Sequence, residues 1–366
     1  MLGYLVSPFT DRRARRLRGL DWPVLALLLA GLVSSLAAER RAVALHEWRA
    51  VFLLGAVYYW LISRVPARTR AGRFSPWPLV DGLLLGMVFV SLLGFWQLAS
   101  GQGRIAVEGV WRVRALYGSP NNLALVLDRV IPLALAVALF GPGLLRRWLY
   151  GLGALIMAAA CIATFSKGAL LLGLPAGIGL VLVAGAFRLR NRWPVWVLGA
   201  GGFSGLLLLA FLFRTPRFAD LLNFQSGTSF IRLNLWQSAW RMALDHPWLG
   251  VGPDNFLYAY RSHYVLPAAW QELNLSHPHN ILLDLWTRLG LLGVIAGTWA
   301  MGAGARLAWR LHRKAGSGAW PLALGLLAGL LVAVVHGLID NSLFLIDLMA
   351  LFLMSLALLR RFSCES

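Results

Sequence analysis

"LSHPHNILLDLWTRLGLLGVIAGTW", residues 275–299, sets two histidines and an asparagine directly in front of a long apolar run. At 1.5 Å of rise per residue, an apolar helix of about 20 residues crosses the roughly 30 Å of bilayer hydrocarbon. The run from 279 to 302 has that length, so His277 and His279 fall where the chain enters lipid. The fold turns on whether other runs match it.

Nine others do, at 20–38, 48–63, 78–98, 122–140, 148–165, 168–187, 193–213, 318–337 and 343–360. The 366 residues are 59% hydrophobic and only 13% charged, with mean hydropathy +0.68. That balance excludes an ordinary soluble domain. The expected fold is an all-α polytopic membrane protein with about ten transmembrane helices, roughly 10–12 because 48–63 and 148–165 are short or glycine-rich.

Orientation follows from the 34 Lys and Arg. With the N-terminus cytoplasmic, the inner segments hold Arg12, Arg13, Arg15, Arg16 and Arg18, then the arginines of 63–73, 146–147, 188–192, 306–314 and 360–361. They are denser in positive charge than the outer ones, as the positive-inside rule requires. The expected order is a cytoplasmic N-terminus (1–19), a transmembrane bundle (20–213) with an outer loop at 99–121, a large extracytoplasmic loop (214–278), C-terminal transmembrane helices (279–360) and a cytoplasmic tail (361–366). "SSLAAE" after the first run faintly resembles a signal-peptidase site, but cleavage would invert the remaining nine spans, so the first helix is expected to be retained. The +19 net charge is accounted for by topology and attraction to anionic headgroups, not by nucleic-acid binding. Cys161 and Cys364 suggest no disulfide, metal cluster or thiol nucleophile.

The two long outer loops are where function is expected. In the larger one, "SGTSFIRLNLWQSAWRMALDHPWLGVGPDNFLYAYRSHYV" reads as helix, turn, helix. Ser226 or Thr228 can cap the first helix, "DHP" stops it, and Asp254 or Asn255 can cap a second around Phe256–Tyr264. "GVGPDN" is no phosphate loop, since no strand precedes it and Pro253 removes a donor. Arg104, Arg112, Arg114, Arg214, Arg217, Arg232, Arg241 and Arg261 lie on this side; a guanidinium can grip phosphate oxygens bidentately, or snorkel to headgroups and pair with Glu108, Asp220, Asp245, Asp254 or Glu272. Arg232 and Arg241 are nine residues apart, about 180° on a helix, so one helix carrying both aims only one at a given site.

Neutral imidazole takes a proton near pH 7, and a sugar hydroxyl becomes a better nucleophile beside such a base. An isolated histidine is more often structural, the reading given to His46, His246, His263 and His312. His279 differs by its spacing, His-Asn-x9-Gly-x2-Gly through Asn280, Gly290 and Gly293. That pattern resembles the O-antigen ligase family. "RALYGSPNN" at 114–122 is similar to an arginine, glycine and asparagine segment of the family, "TFSKGA" at 164–169 to its Ser-Arg-Gly-Ala step, and "RLNLWQSAWRMALDHPWLGVGPDNF" to its loop signature. The resemblance covers roughly 110–345.

The resemblance implies a GT-C-like glycosyltransferase of the inner, cytoplasmic membrane, acting on its periplasmic face. Such enzymes move a glycan from undecaprenyl diphosphate to an acceptor hydroxyl, in the ligase branch on lipid A-core, without metal or other cofactor. Carried over residue by residue, His279 matches the base, Arg232 and Arg114 match arginines near the diphosphate, and Asn280 follows the base. Lys167 stands where arginine is usual. Asn121, Lys167, Arg241 and Asn280 join Arg114 in the expected diphosphate-binding set, and His277 and His336 are candidates for lining the cavity. Arg241, with ten residues between it and Gly252, also resembles a motif of O-antigen polymerases, which leaves ligase and polymerase both open, with protein O-oligosaccharyltransferase beside them. Arg288, where relatives carry an acidic residue, can pair with Asp284 at i, i+4. Gly290 and Gly293 are read as sites of close helix packing. Asp81, Asp128, Arg129, Asp284 and Arg288 could instead mark an ion path. A lipid-linked glycan flippase or transporter is the alternative of another class, though no internal repeat is visible.

Overall fold

The computed structural model describes residues 17–64, 75–219, 227–270, 272–314, 316, 319–341 and 343–365. Arg12, Arg13, Arg15, Arg16, most of the arginines of 63–73, Asp220, Ser226 and the Cys364 side chain lie outside what is described. The chain is an all-α polytopic membrane protein. Its helices are α1 (Asp21–Ala37), α2 (Arg41–Glu47), α3 (Leu54–Arg64), α4 (Trp77–Ser100), α5 (Pro120–Phe140), α6 (Leu144–Ala163), α7 (Leu174–Leu189), α8 (Trp193–Leu212), α9 (Pro216–Ala219), α10 (Gly227–Asp245), α11 (Phe256–Ala259), α12 (Ile281–Lys314), α13 (Trp320–Gly337) and α14 (Ile346–Glu365). Wider π-turns at Trp48–Leu53, Ala169–Gly173 and Tyr260–Tyr264 join α2 to α3, lead into α7 and extend α11.

Seven helices among the described residues are long and apolar enough to cross a membrane: α4, α5, α6, α7 with its π-turn, α8, α12 and α13. The three other apolar runs fall on α1, on the continuous α2–α3 stretch and on α14. The segment 99–121, expected as an outer loop, holds a feature absent from the all-helical expectation, a hairpin of β1 (Ile105–Val107) and β2 (Val110–Arg112), with Val107 opposite Val110. Its two-residue turn, Glu108–Gly109, has positive φ at both positions, 49° and 75°, the geometry that matches strand twist.

The chain divides into two compact units. One comprises 80–231 and 308–339. Its centre is α5, packed against α6, α7 and α13. Ser119 caps α5 by accepting from the Asn122 N–H at 3.2 Å, and Pro120 opens the helix where no N–H is needed. Small residues set the α5–α13 approach: a Cβ on Gly325 would lie 2.6 Å from Leu133 Cα, so only glycine lets the backbones close. His312 is buried between Trp309 and Trp320.

The other unit comprises 1–79, 232–307 and 340–366. Here α14 packs on α3, and the buried Asp21 carboxylate accepts from Tyr59 Oη at 2.8 Å and faces Arg360 at 2.8 Å and Arg64 at 3.5 Å. A carboxylate shared by two guanidiniums and a phenol keeps a charge tolerable where water is scarce.

Candidate functional site

Within this second unit, α12 is not one uninterrupted helix. Gly290 has φ 67° and ψ −167°, a conformation open essentially to glycine, and the backbone of 246–252 docks on the break. Leu291 N–H donates to Pro247 O at 2.8 Å, Val251 N–H to Thr287 O at 2.8 Å and Gly252 N–H to Arg288 O at 3.1 Å. Trp286 Nε1 donates to Pro247 O at 3.1 Å. A Cβ on Gly290 would lie 2.1 Å from the Trp248 carbonyl. The glycine thus admits loop backbone, not a neighbouring helix as expected. Arg288 makes the expected intrahelical pair, Nε to Asp284 Oδ1 at 2.7 Å.

This docking ties the end of α10 to the start of α12, and α10 carries both arginines of the loop signature. Arg232 is half-buried and Arg241 is exposed, as their half-turn separation demands. The second helix spans Phe256–Tyr264 as expected, but neither Asp254 nor Asn255 caps it: Asn255 is buried and its amide exchanges hydrogen bonds with Arg40 and Pro253. Thr228 sits inside α10, not at its cap.

At the entry to α12, Asn280 Oδ1 accepts from the N–H groups of Leu282 and Leu283, at 3.0 and 3.1 Å, an N-cap that relieves orphan donors. His279, just before it, has φ +51°, a backbone conformation unusual outside glycine. Its Nδ1 meets Asp340 Oδ1 at 2.7 Å. A carboxylate can only accept, so Nδ1 is the donor, and in the neutral ring Nε2 then holds the lone pair.

Asp340 is 5% exposed, and the side chains of His279, Arg232 and His277 all face its carboxylate. Besides His279, Arg232 stands 3.8 Å from Oδ2 and His277 Nε2 3.9 Å from Oδ1. The two imidazole rings lie 4.2 Å apart, centroid to centroid. Burial first, then the neighbouring His279, pulls the His277 pKa below its ordinary value, so this ring is neutral at pH 7. Asn341 holds the Asp340 segment in place: its backbone N–H donates to Asp340 Oδ1 at 2.9 Å, and its Oδ1 accepts from Leu343 and Phe344 N–H. Sequence reasoning passed over Asp340; its only signal was an acidic residue just beyond an apolar run.

The first unit, taken by itself, holds another charged cluster. Glu108 at the hairpin tip pairs with Arg217 at 2.9 Å and with Lys167 at 3.5 Å; both cations are buried. Arg217 Nε donates to Phe165 O at 2.8 Å, and Lys167 Nζ to Thr228 Oγ1 at 3.3 Å. Buried Arg112 reaches Thr164 O and the side chain of Asn121. Arg114 donates from Nε to Gly103 O at 3.2 Å. His336 is fully buried, with Nδ1 2.6 Å from Asp128 Oδ2, and a Cβ on Gly168 would strike its Nε2. Of the intramembrane charges, Asp81 meets Arg146 at 3.1 Å and Tyr150 Oη at 2.6 Å.

Residues 152–297 match a family model described as O-Antigen ligase. No curated protein matches the chain. The matched segment contains Lys167, Arg217, Arg232, Arg241, His277 and His279, and stops short of Asp340. The match covers 146 of the 366 residues. By that match, this multi-pass membrane chain is O-antigen ligase-like over the stretch that carries Lys167, Arg232 and His279.

Proposed function

We propose that this protein transfers a glycan from undecaprenyl diphosphate to an acceptor hydroxyl on the periplasmic face of the inner membrane, with lipid A-core as the acceptor. The observation that carries this reading is the 2.7 Å contact of His279 Nδ1 with Asp340 Oδ1. It leaves Nε2 as the lone-pair nitrogen of an oriented base. The acceptor oxygen attacks the anomeric carbon and passes its proton to Nε2, while the bond from that carbon to the phosphate oxygen breaks and lipid diphosphate departs. Displacement from the opposite side inverts the anomeric centre. Asp340 steadies the imidazolium that forms, and Arg232 supplies fixed positive charge for the leaving diphosphate, stabilisation that a preorganised site provides without rearrangement.

Lys167 and Arg217 are proposed as a phosphate seat in their own unit, with Glu108 as the anion that occupies it. Arg114, Asn121 and Arg241 remain proposed contacts of the donor. Asn280 serves this reading as the cap that fixes the helix start beside His279.

Polymerase action is the second reading, favoured by the spacing from Arg241 to Gly252. Purified protein in detergent, given a defined undecaprenyl-diphosphate glycan with lipid A-core, glycan ends or protein as acceptors, decides among them. Transfer to lipid A-core, kept in the presence of chelator, is expected. Transfer only to glycan ends establishes the polymerase, and no transfer to any acceptor favours a flippase. Full retention of transfer by His279→Ala overturns the mechanism.

A further inference from the structure

The transfer chemistry uses His279, Asp340 and Arg232 but gives His277 no part. Yet His277 is held in a definite attitude. Ser276 Oγ lies 3.0 Å from its Nδ1, which leaves Nε2 facing Asp340 Oδ1 at 3.9 Å. His279 presents Nδ1 to the same oxygen at 2.7 Å. One ligand atom from each of the three residues lies within 4.8 Å of the others.

Two imidazoles and one carboxylate form a donor set suited to zinc, cobalt and nickel, and unsuited to magnesium or calcium, which favour all-oxygen surroundings. Zinc bonds of about 2.0–2.1 Å in tetrahedral array place ligand atoms roughly 3.3 Å apart. The separations of 2.7 and 3.9 Å straddle that value, so side-chain rotations of about half an ångström bring both pairs to it. A hydrogen-bonded second nitrogen, as Ser276 provides, is the usual orienting device of a ligating histidine. Arg232 approaches the other oxygen, Oδ2, at 3.8 Å, and the two imidazoles share Oδ1 with the Asn341 backbone N–H.

We propose that His277, His279 and Asp340 form an inhibitory site for a zinc-like divalent transition-metal ion, one that switches off the base. This rests on the reading of His279 as that base. A metal on Nδ1 takes the lone pair of that nitrogen, and the hydrogen it carried moves to Nε2. The ring stays neutral but now presents an N–H to the acceptor and has no lone pair to receive a proton. Coordination also withdraws Asp340 from its hydrogen bond. The ion is therefore an inhibitor, not a participant.

The test uses the purified full chain in detergent, titrated with Co²⁺ and followed by its visible ligand-field absorption, then displaced with Zn²⁺. The wild type is expected to show one Co²⁺ band that Zn²⁺ removes and Mg²⁺ does not. His277→Ala and the isosteric-leaning His277→Gln should lose it, with thermal unfolding of each variant checking that it is folded, and Ser276→Ala should weaken binding roughly 10–100-fold. In glycan transfer, Zn²⁺ should inhibit and chelator should restore. Measured against its own metal-free rate, His277→Gln should need at least about tenfold more Zn²⁺, in line with a lost ligand contact. A wild type without the band, or a band unchanged in both His277 variants, overturns the site. A band that behaves as expected in a protein that transfers no glycan upholds the metal site and sinks the transferase reading. Transfer indifferent to saturating Zn²⁺ overturns the regulation.

Discussion

Gly290 and Trp248 meet backbone to backbone: a Cβ built on the glycine would lie 2.1 Å from the Trp248 carbonyl carbon and oxygen. The contact fastens the 246–252 segment into the break of α12, eleven residues beyond the histidine that opens the helix. Gly290→Ala adds a strained φ and an unavoidable clash with backbone. It should cost roughly 3 kcal/mol or more, seen as a lowered unfolding temperature in detergent. An unchanged unfolding temperature would show that the docking is not rigid.

Asp340→Asn keeps the size of the side chain but removes its fixed acceptor role, so the imidazole can turn the wrong tautomer toward the acceptor. The turnover number should fall roughly 10²–10⁴-fold with little change in KM, by analogy with other histidine–carboxylate pairs. Steady-state kinetics at saturating donor measure this, and a loss confined to KM would assign Asp340 to substrate binding instead.

Arg232→Ala removes the guanidinium facing Asp340 Oδ2. If that cation meets charge developing on the diphosphate, the barrier should rise by about 2–4 kcal/mol. Arg232→Lys should recover only part of it, because a point charge lacks the bidentate fork. Complete rescue by lysine would speak for simple charge balance with Asp340.

Glu108→Gln leaves buried Lys167 and Arg217 without their carboxylate. Breaking such a pair is destabilising because the remaining charges stay desolvated, so the unfolding temperature should drop. Inorganic diphosphate should restore it, and more so in the variant than in the wild type, if the cations form a phosphate seat. Equal effects in both proteins would remove that assignment.

Tyr264 Oη donates to Asp245 Oδ2 at 2.8 Å. Burial, followed by that hydrogen bond and the carboxylate charge, pushes its phenol up to about 12. A folded pKa above the unfolded one means that the native state holds its proton longer, so this contribution is complete below about pH 10 and disappears as pH rises toward 12. Ultraviolet titration should lose one late-ionising phenol when Tyr264→Phe is compared with the wild type. Loss of a phenol that ionises near pH 10 would contradict the bond.

Much of the local structure could be read from residue order. The stop at "DHP", the second helix over Phe256–Tyr264 and the Arg288–Asp284 pair depend on neighbours within a few positions. The hairpin at 105–112 escaped notice, although "VEGV" places two turn-forming residues between β-branched ones. Caps were less legible: Asn255 has the right residue type, but partners distant in sequence claim its amide.

Apolar length and the placement of arginines are properties of short segments, since each span satisfies its own backbone hydrogen bonds in lipid. The residue order therefore determined the membrane class, the positions of the helices and the prominence of His279. Only the tertiary structure decided what His279 faces. Asp340 is 61 residues away, and its arrival depends on how separate helices pack, which no local period encodes. The same holds for Glu108 with Arg217, 109 residues apart. Charges that must find partners in a dry interior do so through space, and which partner each finds is settled by packing.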